Sequence, residues 1–383
     1  MFHQFATHAR VLPLLLLASL APAQEVAREV HVDPVIRGYA DLCYTTYTAA
    51  RDGAAKLEAS VRAFAERPER ATLDAARKAW IAARLAYSRT ETFRFYGGPI
   101  DDVEPLLNAW PVDEAYIDCV PGLAASGIVH DVAHFPRISE HVLTYANERG
   151  GETNVSVGWH AIEFLLWGQD LDPNGPGDRS PDDCVDGKQP HADRRRQYLL
   201  ATTRLLTRQL GELAAAWAPE TDNYRRRFER DPSALRLLLT GTLVFTAFEL
   251  GGERLAVAYE TKAQEQEHSC FSDTTCSDLV QNQLGLVAVL TGELDGARIG
   301  TGVLTAIERA DPQCAANLQK ALAVATSAIA AIPHPFDQAF LGDDTAPGRR
   351  AILAAIEALE QVAEALTFAS HALGYELPMR PGH

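Results

Sequence analysis

The chain has 383 residues, with 51 acidic against 35 basic side chains and a formal charge of −16. That length allows two or three domains, each able to bury a core. A balance this acidic argues against a nucleic-acid or anionic-membrane partner; it suits cations, or serves solubility. Alanine and leucine are abundant and aromatics are only 8% of residues, which favours helices over strands.

Residues 1–23 read as a secretory signal. Arg10 precedes an apolar run that is too short to span a bilayer, and Ala21-Pro22-Ala23 has the form of a cleavage site. No cysteine follows that site, so no lipid anchor is expected. No later segment is expected to cross a membrane. The mature chain is therefore expected to be exported, to the periplasm.

Asp33-Pro34 is a cap followed by proline, a strong helix start. Ile36, Tyr39, Cys43 and Tyr47 follow at helical spacing. A second helix is predicted from near Thr72, with Leu73, Ala76, Trp80, Ala83 and Tyr87 as its stripe. The stripe runs on to Glu91, which places a carboxylate where an apolar residue is expected. Glycine and proline then break the pattern from Phe95 to about residue 135. A helix is predicted over 138–148, another through His160, and a long one over 192–217. Asp231-Pro232 repeats the cap-and-proline start and opens a helix to about Lys262. Residues 265–277 are a polar interruption, and helices are predicted over 278–294, 311–332 and 349–374. The reading is all-α: two four-helix-bundle-like domains with pseudo-symmetry, over residues 24–217 and 218–383.

The stretch GWHAIEFLLWGQD, residues 158–170, sets His160 and Glu163 three apart in an apolar run. On a helix the two side chains share a face, and neither belongs in a core without a partner. Two readings stand: a buried histidine bonded to a carboxylate, or two ligands of one metal. A metal needs three or four ligands. Glu91 is a candidate third, or else the partner of an arginine such as Arg84 or Arg254. Glu249 and Glu253 are further candidates, beside Gly251-Gly252. His268 lies in a polar stretch near Asp273. His130 and His134 read as surface histidines, as do His191 and His334. Six cysteines in an exported chain make disulfides an expectation. Cys119–Cys184 and Cys270–Cys276 are the favoured pairs because loops give them freedom to meet; Cys43 and Cys314 are expected to be buried thiols.

Five stretches together resemble the imelysin family, peptidase family M75, in its iron-regulated branch. They are ETFRFYGGPID (91–101), NAWPVDEAYID (108–118), GWHAIEFLLWGQD, GGERLAVAYETK (251–262) and EQEHSCFSD (265–273). Gly158, His160 and Glu163 form its Gly-x-His-x-x-Glu signature. The resemblance implies two bundles with a site between them, in an exported protein linked to iron acquisition. It implies a metal-binding or catalytic role for His160 and Glu163. Glu91, Tyr96, Asp101, Glu253, Arg254, His268 and Asp273 fall in matching motifs. Cys119 and Cys184 stand where tyrosine is expected in relatives, and Cys276 where histidine is frequent.

Two functions follow. One is binding of a metal ion or metal-bearing ligand, iron or zinc, with iron-uptake proteins of the periplasm or outer membrane as partners. The other is an M75-type metallopeptidase using His160 and Glu163. His-Glu-x-x-His is absent and no separate general base stands out, so binding is the preferred reading.

Overall fold

The computed structural model describes residues 33–172 and 174–377. The signal-like segment lies outside them. Among the described residues, nine helices of eight or more residues carry the architecture: α1 (Pro34–Glu66), α2 (Arg70–Ser88), α3 (Gly158–Trp167), α4 (Ala192–Ala216), α5 (Ala234–Thr261), α6 (Thr275–Thr291), α7 (Val303–Ala310), α8 (Pro312–Ala330) and α9 (Pro347–Ala372). Among the described residues, strand is limited to a hairpin pairing Glu293–Leu294 with Ala297–Arg298. The fold is all-α.

Asp33 caps α1 as its sequence implies, accepting the Val35 amide at 2.7 Å. Asp311 does the same for α8, accepting from Gln313 and Cys314. Each leaves proline in the first turn, where a missing N–H costs nothing. The stripes then decide the packing. Leu57, Val61 and Phe64 of α1 and Leu73, Ala76 and Trp80 of α2 are buried together. Helix α1 packs on α2 and α4, and α3 packs on α2 and α4. In the second half α9 packs on α8 and on the middle of α5, while α8 packs on α6 and α7. Helix α6 also lies against α2, which joins the two sets.

Several elements differ from the sequence reading. Helix α2 stops at Ser88, and Glu91 sits in a 3-10 turn, Glu91–Phe93, yet is fully buried. Short helices Glu104–Leu107, Glu114–Ile117 and Gly127–His130 punctuate the irregular stretch. The helix expected over 138–148 is confined to Glu140–Ala146. Helix α7 was hidden because only eight residues separate Gly302 from Asp311. Helix α5 is long and apolar enough to cross a membrane, which corrects the expectation that no later segment is. It is instead largely enclosed by its own fold, packing on α9.

The centre of α5, Phe245–Ala256, is a π-helix. Its wider turn bonds i to i+5, so side chains five apart come together, and such turns recur at functional sites. Here that pair is Glu249 and Arg254. Gly251 faces Leu359 of α9, where a side chain would crowd the Thr246 carbonyl.

Among the described residues all six cysteines are free thiols, so neither expected bridge is present. The reason at Cys119 is local: its sulfur accepts from Arg195 Nη2 at 3.5 Å, beside the Asp118–Arg195 ion pair. Cys276 instead donates to the Pro333 carbonyl. Cys43 is buried as expected; Cys314 is only half-buried, near Asp311 at the start of α8.

Candidate functional site

Helix α3 positions the signature. All ten of its residues are buried, because it threads between α2 and α4 in the core. Gly158 begins it with φ +87°, against the Leu107 carbonyl, where any Cβ would collide. At the other end Arg77 donates to the Leu166 carbonyl at 3.1 Å and 3.0 Å, closing an orphan acceptor of the last turn. The helix has no freedom to turn His160 and Glu163 outward.

The two signature side chains bond each other. His160 Nδ1 lies 2.9 Å from Glu163 Oε2. The other carboxylate oxygen accepts the Ser272 amide at 2.9 Å and the Ser272 hydroxyl at 2.6 Å. His160 Nε2 is buried and has no hydrogen-bond partner. Burial, then Arg84 and His268, hold the His160 imidazole well below its usual pKa, so it is neutral. Burial raises the Glu163 carboxyl to about 8, despite the Ser272 donors.

The His160 ring stands 4.9 Å from that of His268. His268 in turn is gripped by two guanidiniums, with Arg254 Nη1 at 2.7 Å and Arg84 Nη2 at 3.2 Å from its ring nitrogens. Asp278 Oδ2 lies 3.3 Å from His268 Nδ1 and 3.0 Å from Arg84. Burial and the two arginines push the His268 imidazole down to about 3. A neutral imidazole donates from one nitrogen and accepts at the other. Asp278 fits the accepting side of Nδ1–H, which leaves Nε2 to take the guanidinium donors.

Glu91 belongs to the same network but not to the signature pair. Its Oε2 accepts from Arg254 Nη2 at 2.6 Å, from Arg94 Nη1 at 3.0 Å and from Asn108 at 3.3 Å. Arg254 also bonds Glu249 at 2.7 Å, and Arg94 bonds Glu249 at 3.0 Å and Glu104 at 3.2 Å. The arginine reading of Glu91 therefore holds in the structure. Glu91 Oε1 is left buried and unpartnered. Arg254 neutralises Glu91 and Glu249 rather than Glu163.

An open cleft of about 470 Å³ reaches this network from solvent. Arg94, Glu104, Trp110, Glu253, Arg254 and His268 are on its walls. Trp110 meets the His268 ring edge-on at 5.4 Å and donates to the Glu267 carbonyl at 3.0 Å, which props the His268 loop. His160 lies behind His268, one layer deeper.

Other sequence candidates fall elsewhere. Asp101 accepts the backbone amides of Phe95, Tyr96, Gly97 and Gly98, and so shapes that loop. The Tyr96 hydroxyl bonds Tyr39 at 3.0 Å and its ring packs on Phe228, a core role. Asp273 joins Glu267 and Asp337 in a separate cluster. His130 is not a surface histidine: Asp118 lies 3.4 Å away, Arg195 3.1 Å away, and the His191 ring covers it. His134 and His334 are exposed. Sequence reasoning missed Arg94, Asn108, Ser272 and Asp278. Asp278 had a signal, since it is a charged residue near the start of an apolar helix, but its partner Arg84 lies 194 positions away.

A metal can be fitted to the donors only in part. His160 and Glu163 spend facing atoms on each other, so they are not two ligands of one ion in this arrangement. The carboxylate instead orients the imidazole, as carboxylates commonly do behind a metal-bound histidine. His160 Nε2 is the atom that could take a metal. Iron and zinc both accept an imidazole nitrogen with oxygen ligands beside it.

Comparison with known proteins agrees with the motifs. The imelysin (peptidase M75) family matches residues 43–366. Iron-regulated protein A of Synechococcus elongatus is 25% identical over 363 residues, covering 91% of this chain and 89% of its own length. A crystal structure described as an iron-regulated protein A precursor from Parabacteroides distasonis superposes with TM-score 0.71 at 17% identity, covering 88% of this chain and 94% of that one. An imelysin-like protein from Psychrobacter arcticum gives 0.62 at 15% identity, over 91% of this chain and 100% of that one. With the signature at the start of a buried helix and the family match spanning most of its length, the chain belongs to the imelysin family.

Proposed function

We propose that this chain is an exported imelysin-family protein of iron acquisition, which binds a metal ion or metal-bearing ligand where its two halves meet. In this reading residues 24–217 and 218–383 are two bundle domains, and the cleft between Trp110 and Glu253 is the way in. The observation that carries the reading is His160 Nε2, a buried nitrogen with no partner on an imidazole whose other nitrogen is held by Glu163. A buried polar atom left open is costly, and it persists where a ligand completes it.

Arg84 and Arg254 refine the ligand. Two buried guanidiniums beside His268 repel a bare cation and favour a metal that arrives with anionic ligands of its own. Binding is preferred to hydrolysis because the network's carboxylates are already engaged. Glu91 and Glu249 face arginines, Asp278 faces Arg84, and Glu163 is bonded to His160 and Ser272. Of these only Glu91 keeps a buried oxygen without a partner, Oε1, and the arginines beside it lower its pKa despite burial, which makes it a weak base for water. An exported protein in this role would pass its cargo to iron-uptake partners.

The test is elemental analysis of purified wild type beside His160→Ala, with titrations of iron(II), zinc and an iron(III)–carboxylate chelate. Wild type should retain or take up metal and His160→Ala should not. Equal binding by both proteins would end the reading, and metal-dependent cleavage of a peptide library lost in His160→Ala would favour the peptidase instead.

A further inference from the structure

A second acidic group lies apart from the signature. Glu267, Asp273 and Asp337 each turn a carboxylate oxygen to within 4.8 Å of the others. All three are buried, and Glu267 has no exposed surface. Both Glu267 oxygens and Asp273 Oδ1 lack a hydrogen-bond partner. Among the described residues none of the three forms an ion pair with lysine, arginine or histidine. Asp337 alone is partly satisfied, accepting the Gln338 amide at 2.7 Å and its side-chain amide at 3.0 Å.

The surroundings sharpen the deficit. Burial drives the Glu267 carboxyl well above its usual range, with Asp337, Asp273 and Asp170 adding to the shift; the neighbouring Thr275 hydroxyl pulls the other way without closing a hydrogen bond. Asp273 is raised to about 6 by burial, then by Asp337 and Asp172. A buried carboxylate with no donor and no countercharge is strongly unfavourable. Three together need either protons or a cation.

We propose that Glu267, Asp273 and Asp337 form a binding site for a hard divalent cation of the calcium class. The three grouped side chains offer only oxygen, which suits calcium, magnesium or manganese over zinc or copper. Calcium sits about 2.3–2.6 Å from its oxygens and tolerates irregular geometry, so oxygens up to roughly 5 Å apart can share it. The spread of these three falls inside that limit. Magnesium demands a near-ideal octahedron at about 2.1 Å, which makes calcium the better fit.

The site has a structural consequence. Glu267 and Asp273 lie on the segment between α5 and α6, and Asp337 lies on the short helix Phe336–Ala339. The cation would tie these two segments together. Asp273 holds a left-handed backbone, φ 55°, in the turn that also carries His268 and Ser272. Fixing this turn fixes the donors to Glu163 and the imidazole next to His160.

The proposal is independent of metal binding at His160, and the experiment keeps them apart. Full-length protein is stripped with chelator and titrated calorimetrically with calcium chloride, using wild type, Asp337→Asn, Glu267→Gln and His160→Ala. Circular dichroism confirms that each variant is folded. Wild type and His160→Ala should bind one calcium each, with a rise in melting temperature and slower amide exchange over residues 267–274. Asp337→Asn and Glu267→Gln should weaken calcium by at least about tenfold, the loss expected when a metal site is perturbed. Asp337 is less buried than Glu267 and partly hydrogen-bonded, so its variant serves if Glu267→Gln fails to fold. Absence of calcium binding by wild type at millimolar concentration overturns the proposal, as does equal affinity in wild type and Asp337→Asn.

Discussion

Arg84 Nε donates to Asp278 Oδ2 at 3.0 Å, and both side chains are 1% exposed. The pair crosses from α2 to α6 and, among the described residues, is the most enclosed ion pair between the first and second halves of the chain. Asp278 is also bonded by the Ser88 hydroxyl at 3.0 Å and the Ser269 hydroxyl at 2.7 Å. Burial would raise its pKa, but Arg84 and His268 more than offset that and hold it far below the carboxylate range.

Breaking one side of such a pair strands a buried charge. Arg84→Met should lower stability by about 3–5 kcal/mol in urea denaturation. Replacing both partners, Arg84→Met with Asp278→Leu, removes the stranded charge and should cost clearly less than the two single losses added together. Additive losses would mean that the pair does not act as a unit.

Acid sensitivity should arise at Asp118. Its carboxylate accepts from Arg195 at 2.6 Å and 2.9 Å and from Arg179 at 2.8 Å. Burial raises its pKa, yet the two arginines win and lower it to about 2. A folded value below the unfolded one means the contribution is fully present above about pH 4 and is lost as pH falls toward 2. It is worth about 2 kcal/mol. Wild type should lose this increment between pH 4 and 2 relative to Asp118→Asn, measured by urea midpoints at each pH. Parallel curves for the two proteins would contradict the assignment.

The thiols give a direct chemical check. Unfolding without reductant should make all six cysteines alkylatable, with no cross-linked peptide. In the native protein Cys43 should be inert, because it is fully buried and its thiol pKa is pushed well up by burial. Cys314 should label before Cys43 and Cys184, since it is only half-buried while they are buried. A Cys119–Cys184 cross-link in non-reduced peptide maps would restore the bridge suggested by the sequence.

The sequence made some of this legible and hid the rest for physical reasons. Helix α3 could be read because a histidine and a glutamate in ten apolar residues have no solvent to turn to. Asp33 and Asp311 could be read because capping is local. Glu91 pointed to the site by the wrong route: its helix ends at Ser88, and what buries it is the arginine set from α5 and the 3-10 turn. Charge partners such as Arg84 with Asp278, or Arg94 with Glu249, are set by tertiary packing over long separations, and no spacing rule reaches them. The π-helix was hidden because its apolar pattern also fits an α-helix. Cysteines in loops suggested bridges, but Arg195 beside Cys119 shows that a polar setting can occupy a sulfur without one.

Gly158 tests how firmly α3 must be placed. Its φ of +87° lies in the left-handed region that glycine enters freely, and a Cβ there would run into the Leu107 backbone carbonyl. An L-residue pays about 1–2 kcal/mol for the conformation alone. The collision adds to this, because the obstacle is backbone in a packed core and cannot swing aside. Gly187 is the control: its φ is +80°, but nothing lies within 4 Å of the position a Cβ would take. Gly187→Ala should therefore cost only the conformational part, and Gly158→Ala about 2–4 kcal/mol in all. The larger loss should come with a second sign. Relief of the clash must shift the start of α3 relative to Leu107, which disturbs the 4.9 Å contact of His160 with His268, so the His160 imidazole resonances should shift in Gly158→Ala and stay fixed in Gly187→Ala. Equal destabilisation by the two substitutions would show that the Leu107 contact does not set the position of α3.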